Sequence, residues 1–186
     1  MAERASLVRL EKEFDIKLDW RGFELHPETP KGGIELRRLF PGEMTPERDD
    51  YMQQFAARFG VQGMTRSKRM PNTRRALAVA QFARDQGKLD EYRSRTMDAH
   101  WKEGKDIEDS TVLAGLAGAS GLDPEKALLA ADDPVYLIRV DDTRVEYENV
   151  GVGGIPTFVF GSEPVEGCKP YEVLAAAALR AGAKRR

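Results

Sequence analysis

Three features meet in one short stretch of the chain, Gly151-Val152-Gly153-Gly154-Ile155-Pro156-Thr157-Phe158-Val159-Phe160: a glycine-rich turn, a single proline and an apolar strand. Proline has no N–H to donate to a sheet, so at the first residue of a strand it marks a specialised position, often with a cis peptide bond. A cis Ile155–Pro156 bond would leave the amide and carbonyl of Ile155 open to an extended peptide or a thiol compound. The alternative is an ordinary glycine loop that leads into a core strand.

Both ends of the chain carry patterns typical of an α/β domain. They predict helices over residues 3–14 and 171–181, and strands over residues 16–23, 157–160 and 164–166. In the first helix the apolar residues recur at helical spacing, whereas in the first strand they alternate with charged residues. The last two strands are separated by a glycine–serine pair, which is typical of a two-residue hairpin turn.

Between those ends the patterns predict helices. Thr45-Pro46 is typical of a helix start, and Met52, Phe55 and Phe59 share one face of the helix that follows. Further helices are predicted to begin at Asn72, residue 88, Ser110, Asp123-Pro124 and Pro134. The last of them is predicted to run to Gly151. We therefore predict an α/β domain, residues 1–40 and 151–186, with an all-helical insertion, residues 41–150.

Composition excludes several classes of function. The formal net charge of the 186 residues is −2, so no global basic field would attract nucleic acid or anionic lipid. No stretch approaches the roughly 20 apolar residues of a membrane span, and the first residues lack the apolar region of a secretory signal, so a cytoplasmic protein is expected. Cys168 is the single cysteine, and His26 and His100 are isolated, so neither a metal site nor an intrachain thiol pair is predicted.

Five segments follow one another in a recognisable order: residues 20–27 (WRGFELHP), 72–73 (NT), 101–107 (WKEGKDI), 151–160 (GVGGIPTFVF) and 165–170 (VEGCKP). As an ordered set they resemble the DsbA-like thioredoxin family, in its branch of FrnE-like oxidoreductases and 2-hydroxychromene-2-carboxylate isomerases. The resemblance implies a thioredoxin-like fold interrupted by a helical domain, and an activity of thiol–disulfide exchange on a peptide or small-molecule thiol.

The resemblance also implies roles for particular residues. Gly154, Ile155 and Pro156 look like the cis-proline loop, which binds substrate beside the reactive thiol. Asn72 would face the substrate cleft or, alternatively, only cap a helix. Trp101 would line the cleft facing Pro156 or anchor the helical domain.

The chain departs from the family at the reactive thiol. In the family that thiol belongs to a Cys-x-x-Cys pair at the start of the first helix, where the helix dipole stabilises a thiolate. Here the sequence begins inside the corresponding helix, so the first strand and the pair are missing and no catalytic residue is assigned. The isomerases and related glutathione transferases use a serine there, but Ser6 lies too far into the helix.

The missing strand has three explanations: a start that is placed too late, a strand borrowed from another chain, as in a homodimer formed by strand exchange, or a rearranged sheet. The expectation is a DsbA-family oxidoreductase-like protein that is truncated or redox-inactive as given. The alternatives are a glutathione-dependent isomerase or transferase, with glutathione as the cofactor, and a non-enzymatic module that binds peptides in the cis-proline groove.

Two further features have both functional and structural interpretations. Cys168 lies just before the helix that Pro170 opens, so it is a possible reactive thiol that would form mixed disulfides, or else a small buried apolar group. The basic stretch Arg66-Ser67-Lys68-Arg69 would attract an anionic substrate such as glutathione, or is simply a solvated loop.

Overall fold

The computed structural model describes residues 4–42, 45–58, 61–65 and 68–186. Its helices are α1 Arg4–Glu13, α2 Leu36–Leu39, α3 Pro46–Arg58, α4 Arg74–Asp85, α5 Leu89–Trp101, α6 Ser110–Ala119, α7 Pro124–Asp132, α8 Pro134–Asn149 and α9 Tyr171–Arg180. Its strands are β1 Ile34–Glu35, β2 Arg69–Met70, β3 Thr157–Phe160 and β4 Glu163–Glu166. No helix in these ranges is long and apolar enough to cross a bilayer.

The strands form two small antiparallel pairs, β1 with β2 and β3 with β4. In the second pair Thr157 lies opposite Glu166 and Phe160 opposite Glu163, so the predicted two-residue turn at Gly161-Ser162 is confirmed. Gly161 has a φ of +62°, a conformation that glycine adopts without strain. The predicted strand begins one residue later than the structure has it, at residue 164 instead of Glu163.

One core cluster joins the two ends of the chain. Leu7 and Leu10 of α1, and Phe14 directly after this helix, lie at helical spacing and pack against Leu174 and Ala178 of α9. Partly buried side chains of β3, β4 and residues 16–20 cover this cluster. The helix at each terminus and the hairpin therefore form one α/β unit, as the periodicity predicts.

A second cluster is mainly helical, with Ile107 and Leu122 contributed by loops. It is built from α4 to α7, with fully buried residues such as Val79, Ala83, Leu113, Ala117 and Ala131. The small alanine side chains let helix backbones approach closely, and α8 packs on α4 at the side of this cluster. The observed order of elements matches the predicted α/β fold with helices between its two ends; the boundaries at residues 40 and 150 stay predictions.

The strand predicted over residues 16–23 is wrong. Side chains along residues 16–20 do alternate between partly buried and exposed, as in a strand. However, within the described chain their backbone pairs with no other strand, and a strand is defined by its ladder. Side chains hold the segment instead: Leu18 N–H donates to Glu11 Oε1 at 3.4 Å, and Arg84 donates to the carbonyl of Trp20.

Several helix ends also differ from prediction. Asp109, not Ser110, caps α6, because its carboxylate accepts the N–H groups of Thr111 and Val112 at 2.8 and 3.0 Å. The last helix of the middle region, α8, ends at Asn149, before Gly151. The caps at Asp123 and Thr45 are confirmed. Phe59, predicted to line α3, lies outside the described residues.

Candidate functional site

The glycine-rich segment between α8 and β3 is anchored at both ends. Val152 is buried, and its N–H donates to the carbonyl of Tyr147 at 2.9 Å, which ties the start of the segment to α8. At the other end the hydroxyl of Thr157 donates to the carbonyl of Gly154 at 2.7 Å. The Ile155–Pro156 peptide bond is cis, as its place at the start of a strand predicts.

Ile155 is an exposed apolar side chain of this segment, with 56% of its surface accessible. Within the described residues neither its N–H nor its carbonyl forms a backbone hydrogen bond. A free N–H and carbonyl beside a strand are what an extended peptide needs for pairing. The segment therefore offers both a backbone and an apolar side chain to a ligand.

The β3–β4 hairpin brings Cys168 next to this segment. The N–H of Gly167 donates to the carbonyl of Pro156 at 2.7 Å, and Cys168 is the next residue. The carboxylate of Glu166 lies against the other side, since a Cβ on Gly154 would be 2.7 Å from its Oε1. Cys168 itself is half-buried. Four of the six predicted site residues, Gly154, Ile155, Pro156 and Cys168, thus share one place.

Asn72 has a structural position at the start of α4. Its side-chain oxygen accepts the N–H of Arg74 at 2.9 Å, and its side-chain nitrogen donates to the carbonyl of Thr29 at 2.7 Å. Both ends of the amide are therefore used, one on the helix terminus and one on the loop before β1. This arrangement agrees with the helix-cap interpretation, and a contact with substrate stays a prediction.

Trp101 lies at the end of α5 with 38% of its surface exposed. Its carbonyl accepts the N–H of Thr65 at 2.7 Å, and its indole meets the ring of His100 edge-on at 4.7 Å. These contacts connect α5 with the segment after α3. They do not reach Pro156, so a role in the cleft also stays a prediction.

A charged network at the start of α4 was not predicted from the sequence. The carboxylate of Glu24 is only 2% exposed and accepts a hydrogen bond from Arg74 at 3.0 Å. Arg74 also forms two hydrogen bonds with Asp141, at 2.8 and 2.6 Å. The hydrogen bonds that Arg74 donates to Asp141 raise the pKa of Arg74, so its guanidinium stays charged. The network fixes the segment after α1 to α4 and α8.

Arginines of α4 and α5 fix the same segment further upstream. Arg84 pairs with Asp19 at 2.6 Å, and the guanidinium of Arg93 lies 3.7 Å from the ring centre of Trp20.

Across the described ranges, no three His, Cys, Asp or Glu side chains gather where a metal ion could be held.

The family model of the DSBA-like thioredoxin domain matches residues 2–178. The chain therefore belongs to the DSBA-like thioredoxin family, and the fold that the ordered segments predict is confirmed.

Three known proteins are similar to this chain in sequence or fold. The chain is 25% identical to the uncharacterized protein YwbO of Bacillus subtilis in an alignment 180 residues long, which covers 91% of this chain and 84% of that protein. A probable DsbA oxidoreductase from Streptomyces coelicolor superposes with a TM-score of 0.85 and 23% identity, covering 97% of this chain and 83% of that one. A 2-hydroxychromene-2-carboxylate isomerase superposes with a TM-score of 0.69 and 17% identity, covering 96% and 88%. At these identities the two solved structures show the fold alone.

Proposed function

We propose that the protein is a DsbA-family oxidoreductase-like protein whose Gly153–Thr157 segment docks an extended peptide or a thiol compound. The observation that carries the proposal is the open backbone of Ile155 beside Cys168. A ligand that pairs with Ile155 would place its own sulfur near the end of the hairpin.

We further propose that these 186 residues carry out no dithiol turnover. The thiolate of Cys168 can attack a disulfide RSSR and release RS⁻, which leaves a mixed disulfide on the protein. Displacing the bound half from within the protein needs a second protein thiol, and the sequence contains a single cysteine. Cys168 would therefore stop at a mixed disulfide until an external thiol releases it.

The test is reduction of insulin by dithiothreitol, followed by the turbidity of the released B chain. With this protein present, precipitation is expected to begin no earlier than without it, and Cys168→Ser is expected to behave identically. A clear acceleration by the unmodified chain that Cys168→Ser abolishes would refute the proposal of inactivity.

A second candidate is a non-enzymatic module that accepts a strand, since β3 is paired on only one side within the described residues. Residues 16–20 pack on the same α1–α9 cluster without forming a ladder, so an extended segment of a peptide or of a second copy could pair there. Sedimentation at several concentrations tests the homodimer formed by strand exchange. A mass that rises with concentration supports it, and a single monomer mass at every concentration contradicts it.

A further inference from the structure

A concave site lies apart from the Gly153–Thr157 segment, where the loop before β1, strand β2 and the end of α5 meet. It is a pocket of about 250 Å³ whose walls include Gly32, Lys68, Arg69, His100, Lys105 and Asp106. None of its lining residues belongs to the docking segment or to the end of the hairpin. It is smaller than the roughly 300–1,000 Å³ of pockets for drug-sized ligands, so it suits a small molecule or one terminal group.

Positive charge dominates the walls of the pocket. Among the described residues that line the pocket, Lys68, Arg69 and Lys105 are cationic and Asp106 is the one carboxylate. One oxygen of Asp106 already accepts the N–H of Glu108 at 3.0 Å. Lys105 is paired with a neighbouring glutamate at 2.6 Å, but Lys68 has no carboxylate partner in the part of the chain that the structure describes. The pocket therefore has cationic charge that its own walls do not balance.

The donors of the pocket are held in place. The guanidinium of Arg69 donates to the carbonyls of Gly32 and Gly33, the second at 3.2 Å, which fixes it across the mouth. The imidazole of His100 hydrogen-bonds the backbone of Lys105 and is braced by Trp101. Burial lowers the pKa of His100, so near neutral pH the ring is an uncharged hydrogen-bonding group in the wall.

We propose that this pocket binds a small oxyanion, the carboxylate or phosphate group of a small molecule. The ammonium groups of Lys68 and Lys105 and the braced guanidinium of Arg69 surround the space that the oxyanion would occupy. Arg and Lys are the side chains that bind carboxylate and phosphate through charge-assisted hydrogen bonds. The site is independent of the docking segment, so it goes beyond the proposed function. Residues 66 and 67 of the basic stretch lie outside the described residues and take no part in the proposal.

The test uses the two histidines as reporters. The unmodified protein is titrated with inorganic phosphate and, separately, with succinate, while the two imidazole C–H resonances are followed by NMR. His26 lies in an exposed loop with its ring 3.1 Å from Glu28, so its signal is the internal reference, assigned with His26→Gln. A saturable shift of the His100 signal alone is expected, and the anion that binds more tightly identifies the chemistry.

The matched variants are Lys68→Gln and Lys126→Gln. Lys126 lies on α7 and is 71% exposed, so it provides the same loss of charge away from the pocket. Lys68→Gln is expected to weaken anion binding roughly fivefold, because a unit charge about 4 Å from the anion in water changes the binding constant by about that factor. Lys126→Gln is expected to change anion binding little. Melting curves establish that each variant is folded, and Lys105→Gln replaces Lys68→Gln if the latter is not.

Two results would overturn the proposal. One is the absence of a saturable His100 shift with either anion up to about 20 mM, well above the millimolar affinity expected of a weak site. The other is equal weakening by Lys68→Gln and Lys126→Gln, which would mean that the anion responds to the whole surface.

Discussion

Replacing Arg74 by methionine is expected to destabilise the protein much more than an ordinary surface substitution. Arg74 donates to Glu24 at 3.0 Å and to Asp141 at 2.8 and 2.6 Å. The carboxylate of Glu24 is 2% exposed, so without Arg74 it would be a buried charge that has lost its cation. Methionine keeps most of the side-chain length and removes only the charge and the donors.

The magnitude follows from the two halves of the network. Removing one partner of a buried ion pair typically costs about 3–5 kcal/mol, because the other charge stays desolvated. Asp141 is 41% exposed, so the loss of its pair adds at most about 1 kcal/mol. We therefore expect the free energy of unfolding to fall by about 3–6 kcal/mol, which is a large part of the stability of a domain this size.

The assay is urea denaturation at 25 °C followed by circular dichroism. Arg139→Met is the matched control, because Arg139 forms the same two-bond pair with Asp85, at 2.6 and 3.0 Å, on the surface. It should cost at most about 1 kcal/mol. Adding Glu24→Gln to Arg74→Met removes the buried charge and should restore part of the loss. The reasoning is refuted if Arg74→Met costs no more than Arg139→Met, or if Glu24→Gln makes it worse.

Three further predictions concern the backbone and the charges. Gly33→Ala should cost about 1–3 kcal/mol more than Gly32→Ala, although both glycines have positive φ. A Cβ on Gly33 would lie 2.4 Å from a backbone carbonyl of β2, whereas the nearest atom to a Cβ on Gly32 is 3.9 Å away. Equal melting temperatures for the two variants would contradict this. Hydrogen bonds from Arg74 hold the pKa of Asp141 below its ordinary value of 3.8. The contribution of this pair to folding stability is therefore present above pH 3.8 and is lost as the pH falls through the lower folded-state pKa. Asp141→Asn should flatten that part of the stability–pH curve, and an unchanged curve would count against the pairing. Asp109→Ala should cost about 1 kcal/mol through the lost cap of α6, measured by urea denaturation, and no loss at all would show that the cap is dispensable.

Local signals in the sequence predicted much of the fold. Helical periodicity and the capping residues at Thr45 and Asp123 located their helices, and the glycine–proline–strand order located β3 and the hairpin. The alternation over residues 16–20 reappears in the structure as partly buried and exposed side chains. It could not predict a strand, because a ladder depends on a partner elsewhere in space. The two-residue strands β1 and β2 are too short to carry any period.

The site was predictable to the extent that it is local in the sequence. Gly154, Ile155 and Pro156 are consecutive, and the predicted hairpin turn brings Cys168 back beside them. The network around Arg74 joins residues 50 and 67 positions apart, and no spacing rule relates them. The pocket proposed to bind an oxyanion likewise combines three distant stretches, around Gly32, residues 68–71 and residues 100–106, and no spacing rule relates them.

The most direct test of the account is hydrogen exchange measured with and without an extended peptide that cannot exchange disulfides, such as reduced and carboxymethylated insulin B chain. If the open backbone of Ile155 is a docking site, saturating peptide should slow exchange in the fragment that covers residues 153–160 and leave α6 and α7 unchanged. An unchanged exchange rate over residues 153–160 at saturation, or slowing confined to other parts of the chain, would contradict it.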